Sequence, residues 1–159
     1  AAGSADVGFM NKGGIRCDLE AGDVTFEDVY RLMPFDNTVV SMDLDGAAIR
    51  ELLDRSVAGG GFPALEWSGL EAEVESAGAS LRLRAIRVAG APLEDAKTYR
   101  VATNSFLATG GDGYSAFSRG KRRDGSDRFL RDLLAEDLKA RSPLAPPAGE
   151  RLRVVAPAR

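Results

Sequence analysis

Residues 104–114, NSFLATGGDGY, set an aromatic ring, Phe106, six positions ahead of a carboxylate, Asp112, across a glycine-rich turn. Glycine enters left-handed backbone regions that other residues avoid, so such a turn can be tight. Far upstream, MPFDNT carries a second ring, Phe35, two positions before Asn37. Two rings can sandwich a flat heterocycle, each base–aromatic contact contributing about 1–3 kcal/mol. A carboxylate between glycines can accept hydrogen bonds from two vicinal hydroxyls, as a ribose offers them. These are the parts of a nucleoside pocket. Each also has a plainer reading. Phenylalanine is usually core, and Gly-Asp-Gly is a favourable turn in which the aspartate satisfies its own backbone. Both rings fall in turn-rich loops rather than on strand faces, which weighs against simple packing.

A third segment, NKGGIR (residues 11–16), adds a Gly13-Gly14 pair between Asn11 and Arg16. Arg16 could grip a phosphate bidentately, and Asn11 could bond a base edge or a sugar. Neither the GxxxxGK[ST] nor the GxGxxG phosphate-binding pattern occurs. Catalytic groups are scarce. The chain has no histidine and one cysteine, Cys17. A Ser-His-Asp triad, a Cys-His pair, an internal disulfide and a cysteine zinc site are therefore all excluded. The 24 acidic residues form no metal-binding signature, and the alternating Glu71, Glu73 and Glu75 read as a solvated sheet face. The pattern suggests a domain that holds a nucleotide while another domain performs the chemistry.

At 159 residues with 44% hydrophobic content, the chain is expected to fold as one domain. A net charge of −3 argues against a nucleic-acid partner, which would call for a basic face. No apolar run approaches the roughly 18–20 residues of a membrane span. The opening AAGSADVGFM has no initiator Met and reads as the start of a fragment or a processed product.

The elements that must position these residues follow from periodicity and caps. Ala5–Met10 reads as a short buried strand. Thr25 with Asp28 resembles a capping box, predicting a helix over about Phe26–Met33 that Pro34 ends. Asn37–Leu44 alternates as a strand. Asp45 can cap a helix over Gly46–Ala58, with Ile49, Leu52, Leu53 and Val57 on one face and Gly59-Gly60-Gly61 as its breaker. Strands are expected over Ala64–Ser68, Leu70–Glu75, Ser80–Val88 and Thr98–Thr103, with a turn in 90–97 and loops over 110–113 and 120–125. Asp127–Ala140 is expected to be an amphipathic helix capped by Ser126, with Phe129, Leu130, Leu133, Leu134 and Leu138 as its stripe. Pro143–Gly149 reads as a turn, and Arg151–Val155 as a last strand at a sheet edge.

Taken in order, ADVGFMNKGGIR, GDVTFEDVYRLMPFDNTVV, MDLDGAAIRELL, the WSGL turn and VAGAPLEDAKTYRVATNSFLATGGDGY resemble the C-terminal domain of the 5′-nucleotidase family. That family includes UDP-sugar hydrolases, bacterial cyclic-nucleotide phosphodiesterases and ecto-5′-nucleotidases. The resemblance is strong over about residues 5–118 and looser beyond. It implies an α+β fold with four α/β/β/α layers and mixed sheets, and a domain truncated at its N-terminal side. It also implies a partner: an N-terminal metallophosphoesterase domain, absent from this chain, that holds two divalent metal ions. The chain alone would then be inactive and bind no cofactor. By resemblance, Phe35 and Phe106 would stack on the two faces of the base, Asn37 would meet its edge, and Asp112 would hold the ribose diol. Asn11 and Arg16 would be the polar pair of the first turn, and Gly13, Gly14 and Gly69 positions where the ligand approaches backbone. A further substrate-binding arginine of the family lies upstream of the first strand. The resemblance places the parent protein in the periplasm or outside the cell, in nucleotide catabolism. The alternative is a stand-alone nucleotide-binding module without hydrolase activity.

Overall fold

The computed structural model describes residues 5–59, 64–78, 80–145 and 149–156. Its strands are β1 (Val7–Asn11), β2 (Thr38–Asp45), β3 (Leu65–Ser68), β4 (Leu70–Ala77), β5 (Ser80–Val88), β6 (Ala91–Pro92), β7 (Thr98–Asn104), β8 (Lys121–Phe129) and β9 (Leu152–Val155). Its helices are α1 (Phe26–Leu32), α2 (Gly46–Ala58), α3 (Ser105–Ala108) and α4 (Leu130–Arg141). Short 3-10 turns cover Lys12–Gly14, Gly111–Gly113 and Ser115–Arg119. Gly60 and Gly61 of the expected helix breaker, and residues 146–148 of the expected last turn, lie outside the described residues.

Two mixed sheets organise the chain, one ordered β3-β1-β7-β2-β8 and the other β6-β5-β4-β9. In the first, β1 and β7 run parallel, while β1–β3, β7–β2 and β2–β8 are antiparallel. In the second, β4 pairs antiparallel with β5 and parallel with β9, which forms the edge as expected. Two mixed sheets with few helices match the α/β/β/α plan.

Capping chemistry sets the helix starts. The Thr25 side chain accepts from the Asp28 N–H while the Asp28 carboxylate accepts from the Thr25 N–H at 2.9 Å. The Thr25 hydroxyl also donates to that carboxylate at 2.6 Å, and this bond, followed by the Thr25 backbone one, holds the Asp28 carboxyl below its ordinary value. Asp45 accepts the Ala48 N–H at 2.8 Å and starts α2. The helix then buries Ile49, Leu52, Leu53 and Val57, the first three in one core with Val7, Phe9, Met42, Trp67, Val101 and Phe117.

Three expectations need correction. Residues 121–125, expected as a loop with Gly120, form the first part of β8. Its sequence, KRRDGSDRF, is almost wholly exposed, so no hydrophobic alternation marks it. An edge strand needs only backbone pairing, and charged side chains protect it; β2 supplies the pairing through two register shifts. For the same reason α4 begins at Leu130 and not at Asp127, since Phe129 still pairs with Thr38. Ser126 is no cap: its hydroxyl accepts the Arg128 N–H at 3.1 Å. The α4 leucines are only half-buried, and the helix's one buried residue is Arg131. Finally, Glu75 is buried rather than solvated, and pairs with Arg84 at 3.4 Å.

Gly69, between β3 and β4, has φ of +77°, and a Cβ there would lie 2.0 Å from the Asp6 carbonyl oxygen. Gly69→Ala should therefore cost about 2–3 kcal/mol of stability. Thermal unfolding of the variant measures it, and an unchanged melting temperature would show that the β3–β4 turn relaxes freely.

Candidate functional site

β1 and β7 run parallel through the centre of the five-stranded sheet and end at Asn11 and Asn104. β2, antiparallel to β7, starts beside that end, with Val39 opposite Asn104. The loop before β2, the turn after β1 and the helix after β7 therefore emerge at one edge of the sheet. That edge gathers Asn11, Phe35, Asn37, Phe106 and Asp112.

The two rings are not core. Phe35 is 47% exposed and Phe106 42% exposed, whereas Phe9 and Phe117 are buried and meet edge-to-face at 5.7 Å. The Phe106 ring lies over Gly111, where a Cβ would come within 2.7 Å of three ring carbons. Glycine at 111 is thus what lets the ring fold back onto its own turn. Ser105 ties the two ring-bearing segments together. Its hydroxyl accepts the Thr38 N–H at 3.2 Å and donates to the Asn37 side-chain oxygen at 3.3 Å.

The Phe35 segment has a second anchor that the sequence reading missed. Arg131, whose side chain is 10% exposed, donates to the Phe35 carbonyl at 3.1 Å and pairs with Asp36 at 2.6 Å. Its guanidinium also lies over the rings of Tyr30 and Phe129, 4.9 and 4.7 Å from their centroids. The available signal was an arginine set directly after Leu130, inside the leucine pattern of α4.

Asp112 adopts φ of +54°, between Gly110 and Gly113 at +92° and +77°. Its carboxylate accepts a hydrogen bond from the Asn11 amide at 3.1 Å, across 101 residues of sequence. Asn11 is buried, and its side-chain oxygen accepts from Asn104 at 2.9 Å. The amide of Asn11 is thus engaged at both ends within the protein. The Arg55 guanidinium braces the other side of the turn, donating to the Asp112 carbonyl at 3.3 Å and lying 5.5 Å from the Tyr114 ring centroid.

The remaining sequence-derived residues scatter around this group. Arg16 is exposed and donates to the Gly13 carbonyl at 3.0 Å, closing its own turn. Gly14 is buried, and a Cβ there would meet the Met10 methyl at 2.5 Å, so packing explains its glycine. Gly69 is not brought to the group. It abuts Asp6, before β1, whereas Asn11 ends that strand, about 16 Å away along extended chain. Its glycine serves the backbone approach described above.

A cleft of about 1000 Å³ opens beside Asp112, lined by Lys12, Gly13, Arg50, Asp54 and Arg55 among others. Phe35 and Phe106 do not line it. Burial raises the Asp54 carboxyl, partly offset by Arg50. Burial likewise pushes the Tyr114 phenol up, with a Ser56 hydrogen bond opposing. Among the described residues, no group of three or more His, Cys, Asp or Glu side chains could hold a metal ion, and no helix is long and apolar enough to cross a membrane.

Comparison with known proteins identifies the class. The family model for the 5′-nucleotidase C-terminal domain matches residues 1–119. The chain belongs to that family. It is 36% identical over 144 residues to Protein UshA of Salmonella pullorum, covering 88% of this chain and 25% of that protein. It is 30% identical over 145 residues to NAD 5′-nucleotidase of Haemophilus influenzae, covering 81% of this chain and 24% of the relative. The 5′-nucleotidase precursor of Thermus thermophilus superposes with a TM-score of 0.87 at 30% identity, over 95% of this chain and 32% of that structure. The chain thus spans about a quarter of the length of each of these two curated relatives.

Two substitutions separate ring display from packing. Phe106→Ala should cost only about 1 kcal/mol of stability, against roughly 3–5 kcal/mol for a core phenylalanine. Arg131→Gln, which removes the bond to the Phe35 carbonyl and the cation over the Tyr30 and Phe129 rings, should cost about 2 kcal/mol. Chemical denaturation of both variants checks the ordering, and a larger loss at Phe106 would return that ring to the core.

Proposed function

We propose that this chain is the nucleoside-recognition domain of a 5′-nucleotidase-type phosphoester hydrolase acting in nucleotide catabolism. The observation that carries the reading is the pair of half-exposed rings, Phe35 and Phe106, on segments tied together by Ser105 at the sheet edge that also holds the Asp112 carboxylate. Large apolar rings left at a surface beside oriented polar groups mark a binding site. In this reading the base stacks between the rings, and Asp112 accepts from the ribose hydroxyls. Asn37, with its oxygen held by Ser105, offers an amide N–H to the base edge. Arg16 and the Gly13-Gly14 turn face the sugar or phosphate side.

The hydrolysis belongs to an N-terminal metallophosphoesterase domain with two divalent ions. Two such ions would polarise the phosphoryl group and generate the attacking hydroxide. This chain contributes substrate position, and the parent protein works in the periplasm or outside the cell. The NAD 5′-nucleotidase relative supports the hydrolase assignment through its name and its similarity over most of this chain.

Adenosine should bind the isolated chain weakly, in the high micromolar to millimolar range, because the partner domain's charged contacts are missing, each worth about 1.5–3 kcal/mol. An NMR titration should shift Phe35, Phe106 and Asp112; shifts confined to another face reject the pocket. The same chain should release no phosphate from AMP when supplied with Mn²⁺, Zn²⁺ or Co²⁺. Metal-dependent turnover that survives repurification would overturn the division of labour.

A further inference from the structure

The Asp112 carboxylate is reached through a chain of three hydrogen bonds whose direction is fixed at both ends. At one end the Leu107 backbone N–H, which can only donate, gives its hydrogen to the Asn104 side-chain oxygen at 2.8 Å. That leaves the Asn104 nitrogen facing Asn11, where it donates to the side-chain oxygen at 2.9 Å. Its other hydrogen points toward the Met10 sulfur at 3.2 Å. Asn11, its oxygen taken, must present its nitrogen to Asp112, at 3.1 Å. The far end is a carboxylate, which can only accept. An amide of either asparagine turned round would set oxygen against oxygen or nitrogen against nitrogen. Asn104 and Asn11 are both buried, at 1% and 7% exposure, so water cannot substitute for a lost partner.

We propose that Asn104 is a positioning residue that sets the specificity of this site for ribose. Its amide polarity, passed through Asn11, holds one Asp112 oxygen and orients the carboxylate to accept from the 2′- and 3′-hydroxyls. The proposal rests on the reading of Asp112 as the ribose ligand. Its structural half, the one-way relay, stands apart from that reading. Asn104 touches no ligand and acts only through Asn11.

Asn104→Asp separates polarity from packing. The substituted side chain has the same shape and still accepts the Leu107 N–H, so α3 keeps its cap. In its ionised form, favoured by working at alkaline pH, that carboxylate cannot donate to Asn11. Asn11 must then turn its nitrogen to this new carboxylate and its oxygen to Asp112, and Asp112 loses its donor. Adding Asp112→Asn restores a partner at the far end, because the new amide can donate to the turned Asn11. The two side-chain bonds then run backwards, the Leu107 bond is unchanged, and the charge has moved from one end to the other.

Two measurements on the 159-residue chain test this. Thermal unfolding of Asn104→Asp, Asp112→Asn and the double variant should show the first lowering the melting temperature by about 3–6 °C, the second changing little, and the double recovering much of the loss. Additive losses, or a double variant no more stable than Asn104→Asp, would overturn the relay whether or not any nucleoside binds. NMR titration with adenosine and 2′-deoxyadenosine supplies the second readout. The wild type should prefer the ribonucleoside roughly fivefold, and Asn104→Asp should lose most of that preference. A folded Asn104→Asp that keeps the preference refutes the positioning role. A wild type that binds both nucleosides equally refutes Asp112 as ribose ligand and leaves the melting result intact. Should Asn104→Asp fail to fold, Asn11→Asp replaces it in the titration. It keeps the Asn104 bond and faces Asp112 with oxygen, and retention of the ribose preference there counts equally against the proposal.

Discussion

The parallel pairing of β1 with β7 is the constraint on which the site depends. It places two strands about 90 residues apart in sequence side by side with their C-terminal ends at one sheet edge, Val7 facing Val101 and Gly8 facing Ala102. Polar residues at both ends, Asn11 and Asn104, then meet in a buried position where each needs the other. A slip of one residue would turn every alternate side chain to the opposite face. It would bury the wrong set and separate the two amides. The apolar face fixed by Val7, Phe9 and Val101 therefore also fixes the register of the polar edge.

Around that edge, order is imposed on loops by long-range polar contacts, two of them part-buried and one exposed. Ser105 links the start of β2 to α3, and Arg131 clamps the carbonyl before it from α4. Arg55 from α2 holds the Asp112 turn. Each anchor comes from a regular element and ends on a loop, so rigid scaffolding positions segments that have little packing of their own. The rings of Phe35 and Phe106 are left exposed by the same arrangement, since their backbones are tied down without their side chains being covered.

Much of this was legible in the chain. The Thr25–Asp28 box, the Asp45 cap and the Ile49, Leu52, Leu53, Val57 face of α2 are local features, with partners within a few residues, and all three form as read. β8 was not legible, because an exposed edge strand is held by backbone bonds that leave no hydrophobic period in its side chains. The start of α4 was misplaced for the same reason, as the pairing of Phe129 with Thr38 overrides a helical pattern. Glu75 looked solvated by its alternation, but Arg84 covers it on the neighbouring strand.

The sequence alone determined the residue types and their motifs: two rings in turn-rich loops, a carboxylate among glycines, and no histidine for chemistry. It also carried, through several motifs in order, the family to which the chain belongs. Tertiary structure alone decided that the rings are surface rather than core, that Gly69 stands apart from the group, and that Asn11 is bound to Asp112 and Asn104. Motif and composition are properties of neighbouring residues. Exposure and amide polarity depend on contacts across about a hundred residues, which exist only once the β1–β7 register has been set.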